Sequence, residues 1–237
     1  MIKKISFLIF FLLSTALALW GEETNTTVKL QEFTKLKATH LLTSHSNWVK
    51  KVALSPDNTK ILSGSADRDI KLWDIKTGKL LKTYTAHAND VNPLAFHKEG
   101  KIFLSADAGG YVMAWDVDSN ASLWTIKAFE GYSINAMLIT DDGQFIVSGH
   151  SKSIQIRDLA TQEIIHTLTG HTAPIHGLTL SKDGTLLSAS ADATVKIWDI
   201  KTGTKLQDFQ AHNNGLYAIS MSNDGKRFVT GGSDSII

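Results

Sequence analysis

The sequence predicts an all-β chain assembled from a repeated four-stranded unit. Three observations lead there. Tryptophan–aspartate pairs recur behind a histidine at a near-constant interval: His45 precedes Trp73 by 28 residues, His87 precedes Trp115 by 28, and His171 precedes Trp198 by 27. The first two units are offset by 42 residues, and a fixed period of that size marks a repeat architecture. Between the markers, short alternating runs such as Val52-Ala53-Leu54 and Ala218-Ile219-Ser220-Met221 are separated by Ser55-Pro56-Asp57-Asn58, Asp142-Gly143, Asp183-Gly184 and Asp224-Gly225. Asp-Gly between alternating runs is a strong hairpin signal. Outside the first 18 residues no stretch sustains the 3.6-residue period of an amphipathic helix.

The elements follow in order. Lys3-Lys4, the apolar run Ile5 to Leu13 and the small-x-small triplet Ala16-Leu17-Ala18 have the layout of a secretory signal, so residues 1–18 are expected to be removed. An uncleaved anchor is the alternative, for which the run is short against a bilayer span of about 20 residues. No later segment is apolar enough to cross, so no membrane span is expected after cleavage. Residues 19–26 read as a short linker and 27–237 as one repeat domain. Its units lie near 45–86, 87–129, 130–170, 171–211 and 212–237, the last incomplete. Four residues after each marker histidine stands an apolar position: Val49, Val91, Ile175 and Leu216. A second strand leads into Ser63-Gly64-Ser65-Ala66-Asp67 and its counterpart Ser188-Ala189-Ser190-Ala191-Asp192. A third carries the tryptophan, and Lys-Thr-Gly turns follow at 76–78 and 201–203. The third unit keeps the length but loses the markers. Arg157 stands where tryptophan is expected, and Glu130 stands near the histidine position.

Composition removes several function classes. Lys+Arg is 24 against Asp+Glu 23, which gives no basic surplus for a phosphate backbone, so no nucleic-acid partner is expected. Removing residues 1–18 takes the formal charge from +1 to −1. There is no cysteine, which excludes disulfides, thiolate catalysis, Cys-based zinc, iron–sulfur ligation and covalent haem attachment. Four of the nine histidines are markers, and His40 and His166 align with each other on the fourth strand. That leaves His97, His150 and His176, with no HxH or HExxH spacing, so neither metal nor cofactor is expected.

Four short strands per unit with His…Trp-Asp punctuation resemble WD40 repeats, over roughly residues 27–237. The resemblance implies a WD40-type β-propeller with about five repeats visible. It also implies a network in each blade joining His, Ser/Thr, Asp and Trp: His45, Ser63 (rather than Ser65), Asp67 and Trp73 in the first; His171, Ser188, Asp192 and Trp198 in the fourth. The second keeps His87, Ser105 and Trp115, with Gly109 at the aspartate place. The fifth keeps His212, Thr230 and Asp234. Ser, His and Asp repeated in every unit fit a stability device with spare copies better than a reaction centre, so no catalytic residue is expected.

Residues 27–45 align without a gap to 153–171, which reads as the third and fourth strands of a blade placed at the front of the domain. The chain ends at Ile237, where a sixth residue after Asp234 would have been the tryptophan. Two readings stand. The leading strands close a five-bladed ring, or a seven-bladed ring has been cut short.

In function, the resemblance implies a non-enzymatic scaffold that docks a protein or peptide on the propeller face. Contact positions fall three and five residues after each marker: Trp48 and Lys50, Asp90 and Asn92, Ser133 and Asn135, Pro174 and His176, Gly215 and Tyr217. Trp48 and Tyr217 are the strongest candidate anchors, because aromatics dominate interface hot spots. The signal and the lysine-heavy, cysteine-free composition place the expected scaffold in a bacterial periplasm. An accessory factor for a periplasmic respiratory or metalloenzyme system, such as nitrate reductase, is the alternative. A metal-dependent hydrolase is a third reading, which would need ligands converging on the central channel.

Overall fold

The structure is a computed structural model and describes residues 38–222 and 224–237. The expected signal 1–18, the linker 19–26 and the leading-strand residues 27–37 lie outside the described residues. Within them every regular element is a strand, so none is a helix long and apolar enough to cross a membrane.

Four sheets have four antiparallel strands each, in chain order. Blade 1 is β1 (Val49–Leu54), β2 (Lys60–Ser65), β3 (Asp69–Asp74) and β4 (Leu80–Thr85). Blade 2 is β5 (Val91–Phe96), β6 (Ile102–Asp107), β7 (Tyr111–Asp116) and β8 (Ser122–Lys127). Blade 3 is β9 (Ala136–Ile139), β10 (Phe145–Gly149), β11 (Ser153–Asp158) and β12 (Ile164–Thr169). Blade 4 is β13 (Ile175–Leu180), β14 (Thr185–Ser190), β15 (Thr194–Asp199) and β16 (Thr204–Gln210). Blade 5 contributes β17 (Leu216–Met221) and β18 (Phe228–Gly232). Of the leading strands expected over 27–43, the described part, 38–43, belongs to no sheet.

First strands pack against one another in chain order, so they form the inner edge of a radial array, and the fourth strands form its outer edge. The described residues make an arc that does not close into a ring. Middle strands are nearly all buried, as in LLSAS of β14, whereas β16 is exposed along almost its whole length. Each hydrophobic cluster spans two blades. Leu62, Ile70 and Leu72 of blade 1 meet Val91, Leu94 and Phe103 of blade 2, and the pattern continues to Leu187 and Val195 against Leu216. The apolar residue opening each blade is the wedge. Val91, Ile134, Ile175 and Leu216 are fully buried, whereas Val49 is 38% exposed and packs against no preceding blade among the described residues. The wedge demands a small partner. A Cβ on Gly64 would come within 2.8 Å of Val91, and one on Gly149 within 2.9 Å of Ile175.

The aspartate beside each tryptophan serves the turn and not the network. Asp74 Oδ1 accepts the Thr77 N–H at 2.7 Å, and Asp199 Oδ1 accepts the Lys201 N–H at 2.8 Å. Gly78 and Gly203 then take φ of 68° and 70°, with the rings of His40 and His166 filling the space a side chain would need. Those two histidines donate Nε2–H to the carbonyls of Lys76 and Lys201, tying the segment before blade 1 and strand β12 to the turns of blades 1 and 4.

Candidate functional site

Beneath the rim of blades 1, 2, 4 and 5 lies a chain of polar groups. In blade 1 the Trp73 indole N–H donates to Ser63 Oγ at 2.8 Å, Ser63 Oγ lies 2.7 Å from His45 Nε2, and His45 Nδ1 lies 2.8 Å from Asp67 Oδ2. In blade 4 the corresponding distances, Trp198–Ser188–His171–Asp192, are 2.9, 2.8 and 2.8 Å. Blade 5 brings His212 within 2.9 Å of Thr230 Oγ1 and 2.8 Å of Asp234. In blades 1 and 4 the hydroxyl thus accepts the indole N–H and sits within hydrogen-bond reach of Nε2, while Nδ1 faces the carboxylate. Burial pushes the Asp192 carboxyl up, but hydrogen bonds from the Thr194 hydroxyl, the Thr172 amide and His171 outweigh it and hold the group at about 2. Burial likewise lowers His171, against the pull of Asp192.

Two units differ from the sequence expectation. In blade 2 the carboxylate comes from Asp107, not from position 109. Its Oδ2 lies 3.1 Å from His87 Nδ1, while Ser105 Oγ takes the Trp115 indole N–H at 2.8 Å and reaches His87 Nε2 at 2.6 Å. Asp107 sits two residues after the hydroxyl, where Ser65 and Ser190 stand in blades 1 and 4. From there its Oδ1 accepts the N–H groups of Gly109 and Tyr111. In blade 3 the histidine place is filled by buried Phe129, and Glu130 is an exposed residue paired with Lys127 at 2.7 Å. Arg157 does hold the tryptophan register, pairing with Ile146 as Trp73 pairs with Ile61. Its guanidinium turns instead to Gln155, the Gln162 carbonyl and the Ala128 carbonyl. Ser148, the hub hydroxyl of this blade, is buried without a partner. His150 packs against Phe129 with ring centres 3.5 Å apart and planes tilted by 42°, and burial lowers it to about 4.

The rim itself is built by β-bulges. Pairing skips from Val49 to Lys51, from Val91 to Leu94, from Ile175 to Gly177 and from Leu216 to Ala218. The skipped residues are Lys50, Asn92 with Pro93, His176 and Tyr217. A bulged residue leaves the ladder and its side chain is re-aimed, which is what presents these groups at the rim. The residues three after each marker are held by their carbonyls: Trp48, Asp90, Pro174 and Gly215 accept N–H groups from Ala66, Ala108, Ala191 and Ser233. Lys50 reaches across the blade 1–2 boundary to Asp90 at 3.4 Å and lies 5.5 Å over the Trp48 ring. Trp48 remains 76% exposed. At the blade 4–5 boundary His176 and Tyr217 stack with centres 5.0 Å apart, and Tyr217 is 58% exposed.

The structure thus groups Trp48 with Lys50 and Asp90, and His176 with Tyr217. Asn92 and Asn135 stand apart on the same rim, in blades 2 and 3, where Asn135 accepts the Ser133 hydroxyl at 2.9 Å. The histidines left over by the sequence have separate surroundings. His97 packs against Gly143, His150 against Phe129 and His176 against Tyr217. Among the described residues no three acidic or imidazole groups converge as a metal site would require. A cleft of about 420 Å³ between the 55–60 and 98–100 turns lies on the opposite face and mixes two lysines with two carboxylates. It contains none of the expected site residues.

Comparison with known proteins accords with the repeats. The family model "WD domain, G-beta repeat" matches residues 36–74, 78–116, 162–199 and 203–237. The unmatched stretch around 117–161 contains the parts of blade 3 that lost their markers. The chain is 48% identical over 40 residues to Pre-mRNA-splicing factor PRP46 of Yarrowia lipolytica, covering 17% of this chain and 9% of that protein. It is 38% identical over 63 residues to human Pleiotropic regulator 1, covering 27% and 12%, and 48% identical over 42 residues to Protein Mut11 of Chlamydomonas reinhardtii, covering 18% and 11%. The matched segments span about a tenth of these relatives' own lengths. All three relatives are eukaryotic, and two are named as a splicing factor and a regulator, which overturns the expected bacterial periplasmic location. The respiratory assembly role tied to that location falls with it. By the repeats that the family model matches across most of its length, the chain belongs to the WD40 repeat family.

Proposed function

We propose that this chain is a non-enzymatic scaffold that docks a protein or peptide on the rim formed by Trp48, Lys50, Asp90, Asn92, Asn135, His176 and Tyr217. One observation carries the reading. The bulge opening the first strand of blades 1, 2, 4 and 5 turns a side chain out of the ladder, beside a backbone pinned by the neighbouring turn. Recognition groups on a rigid base lose little entropy on binding. Trp48 and Tyr217 supply large, stiff, amphipathic surfaces, and the amides between them supply adaptable hydrogen bonds. Charge is paired locally by Lys50 and Asp90, so the rim offers no field that would draw a polyanion. A reaction centre is disfavoured because Ser63, Ser105 and Ser188 are buried and accept an indole N–H. A nucleophile must instead face substrate.

A photocrosslinking amino acid placed at position 48, at 217 and at the exposed outer-strand position 206 tests the reading in cells. Adducts from 48 and 217 with none from 206 are expected. Adducts confined to 206 would move the docking surface to the outer edge and refute the proposal.

A further inference from the structure

In blades 1, 2, 4 and 5 the marker histidine lies in the segment that enters the blade and hydrogen-bonds to that blade's own second strand. Each entering segment is thereby fastened to the blade that follows it. The crossover from blade 2 to blade 3, residues 128–135, lacks this fastening. Phe129 stands at the histidine place and offers no polar atom to Ser148, whose hydroxyl is buried without a partner. The tie to the preceding blade is intact. The Ala128 and Phe129 N–H groups donate to the Gly110 carbonyl, as those of Ala211 and His212 donate to Ala193 before blade 5.

Blade 3 is loosened on the same side. Strands β9 and β10 have four and five residues, where their counterparts in blades 1, 2 and 4 have six. Strand β9 opens without the bulge of the other first strands. Among the described residues no backbone N–H donates to the Ser133 carbonyl, the counterpart of those pinned in the other blades. What joins the crossover to blade 3 is the Asn135 N–H on the Gly149 carbonyl at 3.1 Å, the Arg157 guanidinium on the Ala128 carbonyl at 3.4 Å, and apolar packing. Ile134, Met137 and Ile146 pack there against Leu104, Val112 and Ala114. Such contact is non-directional and lets packed surfaces shift. On the opposite face the two blades are held. Lys98 Nζ donates to the Asp142 carbonyl at 2.5 Å, and His97 packs against Gly143.

We propose that the junction of blades 2 and 3 is a hinge, with its pivot at the Lys98–Asp142 contact and its opening at the rim. Blades 1 and 2 move as one body and blades 3 to 5 as another. Trp48, Lys50 and Asp90 ride on the first body, and His176 and Tyr217 on the second. The hinge therefore sets the spacing of the two aromatic anchors, while each keeps its rigid base. A partner that engages both anchors selects one spacing. That use of the movement rests on the rim being the docking surface, and the movement itself does not.

The chain has no cysteine, so spin labels attach only where one is introduced. Ala108→Cys with Lys152→Cys spans the hinge, and Ser46→Cys with Ala108→Cys spans the fastened junction of blades 1 and 2; all three positions are exposed. Double electron–electron resonance on the full chain without partner should give a distance distribution about twofold broader for the first pair than for the second. Installing the blade 2 network in blade 3, as Phe129→His with His150→Asp and Arg157→Trp, should narrow the first pair to the width of the second. Equal widths in the chain that keeps Phe129, His150 and Arg157 overturn the hinge, whether or not the triple variant folds. A folded triple variant whose first pair stays broad overturns it too. A rigid junction leaves the docking proposal standing, and absent crosslinks at 48 and 217 leave the hinge standing, so the two fail separately.

Discussion

The same substitution at the same strand position should have opposite effects in two blades. Ser188 is buried, accepts the Trp198 indole N–H at 2.9 Å and lies 2.8 Å from His171 Nε2. Ser188→Ala removes the acceptor of one buried group and the donor to another. Each of the two stranded groups costs about 1–3 kcal/mol, so the loss should be about 2–6 kcal/mol. Ser148 occupies the equivalent place in blade 3, but its buried hydroxyl has no partner, because Phe129 and Arg157 replace the imidazole and the indole. Ser148→Ala removes an unsatisfied polar atom and should be neutral or stabilising by about 1 kcal/mol. Urea unfolding of the two variants, with amide exchange in β10 and β14 to localise the change, reads the difference. A Ser188→Ala chain within about 0.5 kcal/mol of the parent, or a Ser148→Ala chain destabilised equally, would refute the hub role of the hydroxyl.

Two further outcomes follow. His150 is lowered to about 4 by burial, from an ordinary value of 6.5, so the unfolded chain binds its proton more readily. Its contribution is therefore complete above pH 6.5 and declines as pH falls from 6.5 towards 4. The protection of blade 3 amides, corrected for the intrinsic pH dependence of exchange, should fall over that window in the parent and not in His150→Asn, and pH-independent protection would contradict this. Asp107→Ala should cost about 2–4 kcal/mol, since it strands the His87 Nδ1–H and the N–H groups of Gly109 and Tyr111. A midpoint in urea indistinguishable from the parent's would show that another group supplies the carboxylate.

Much of the architecture was legible because its markers are chemically expensive. A buried indole N–H needs an acceptor and that acceptor needs a further partner, so tryptophan, serine and histidine recur together and betray the period. The wedges Val91, Ile175 and Leu216 were visible for the same reason, as apolar residues at a constant distance from the marker. What escaped was anything set by reach and not by spacing. Asp107 approaches His87 from two residues nearer the hydroxyl than Asp67 approaches His45, and alignment by offset pointed to Gly109. Phe129 was missed because the loop before Ile134 is one residue longer, which shifted attention to Glu130. The bulges are invisible in the sequence, since skipping one residue leaves the alternation of the following strand intact. Their products, the Lys50–Asp90 pair and the His176–Tyr217 stack, each join two blades and so require the packed arc.

The most direct test of a buried network beneath an open rim is hydrogen exchange at the indole nitrogens, followed by ¹H–¹⁵N NMR. Trp73, Trp115 and Trp198 should exchange slowly, at rates tracking the opening of their blades, while Trp48 exchanges as fast as a solvated indole. Equal rates at all four would mean that the hydroxyl–imidazole–carboxylate chain is not closed in solution.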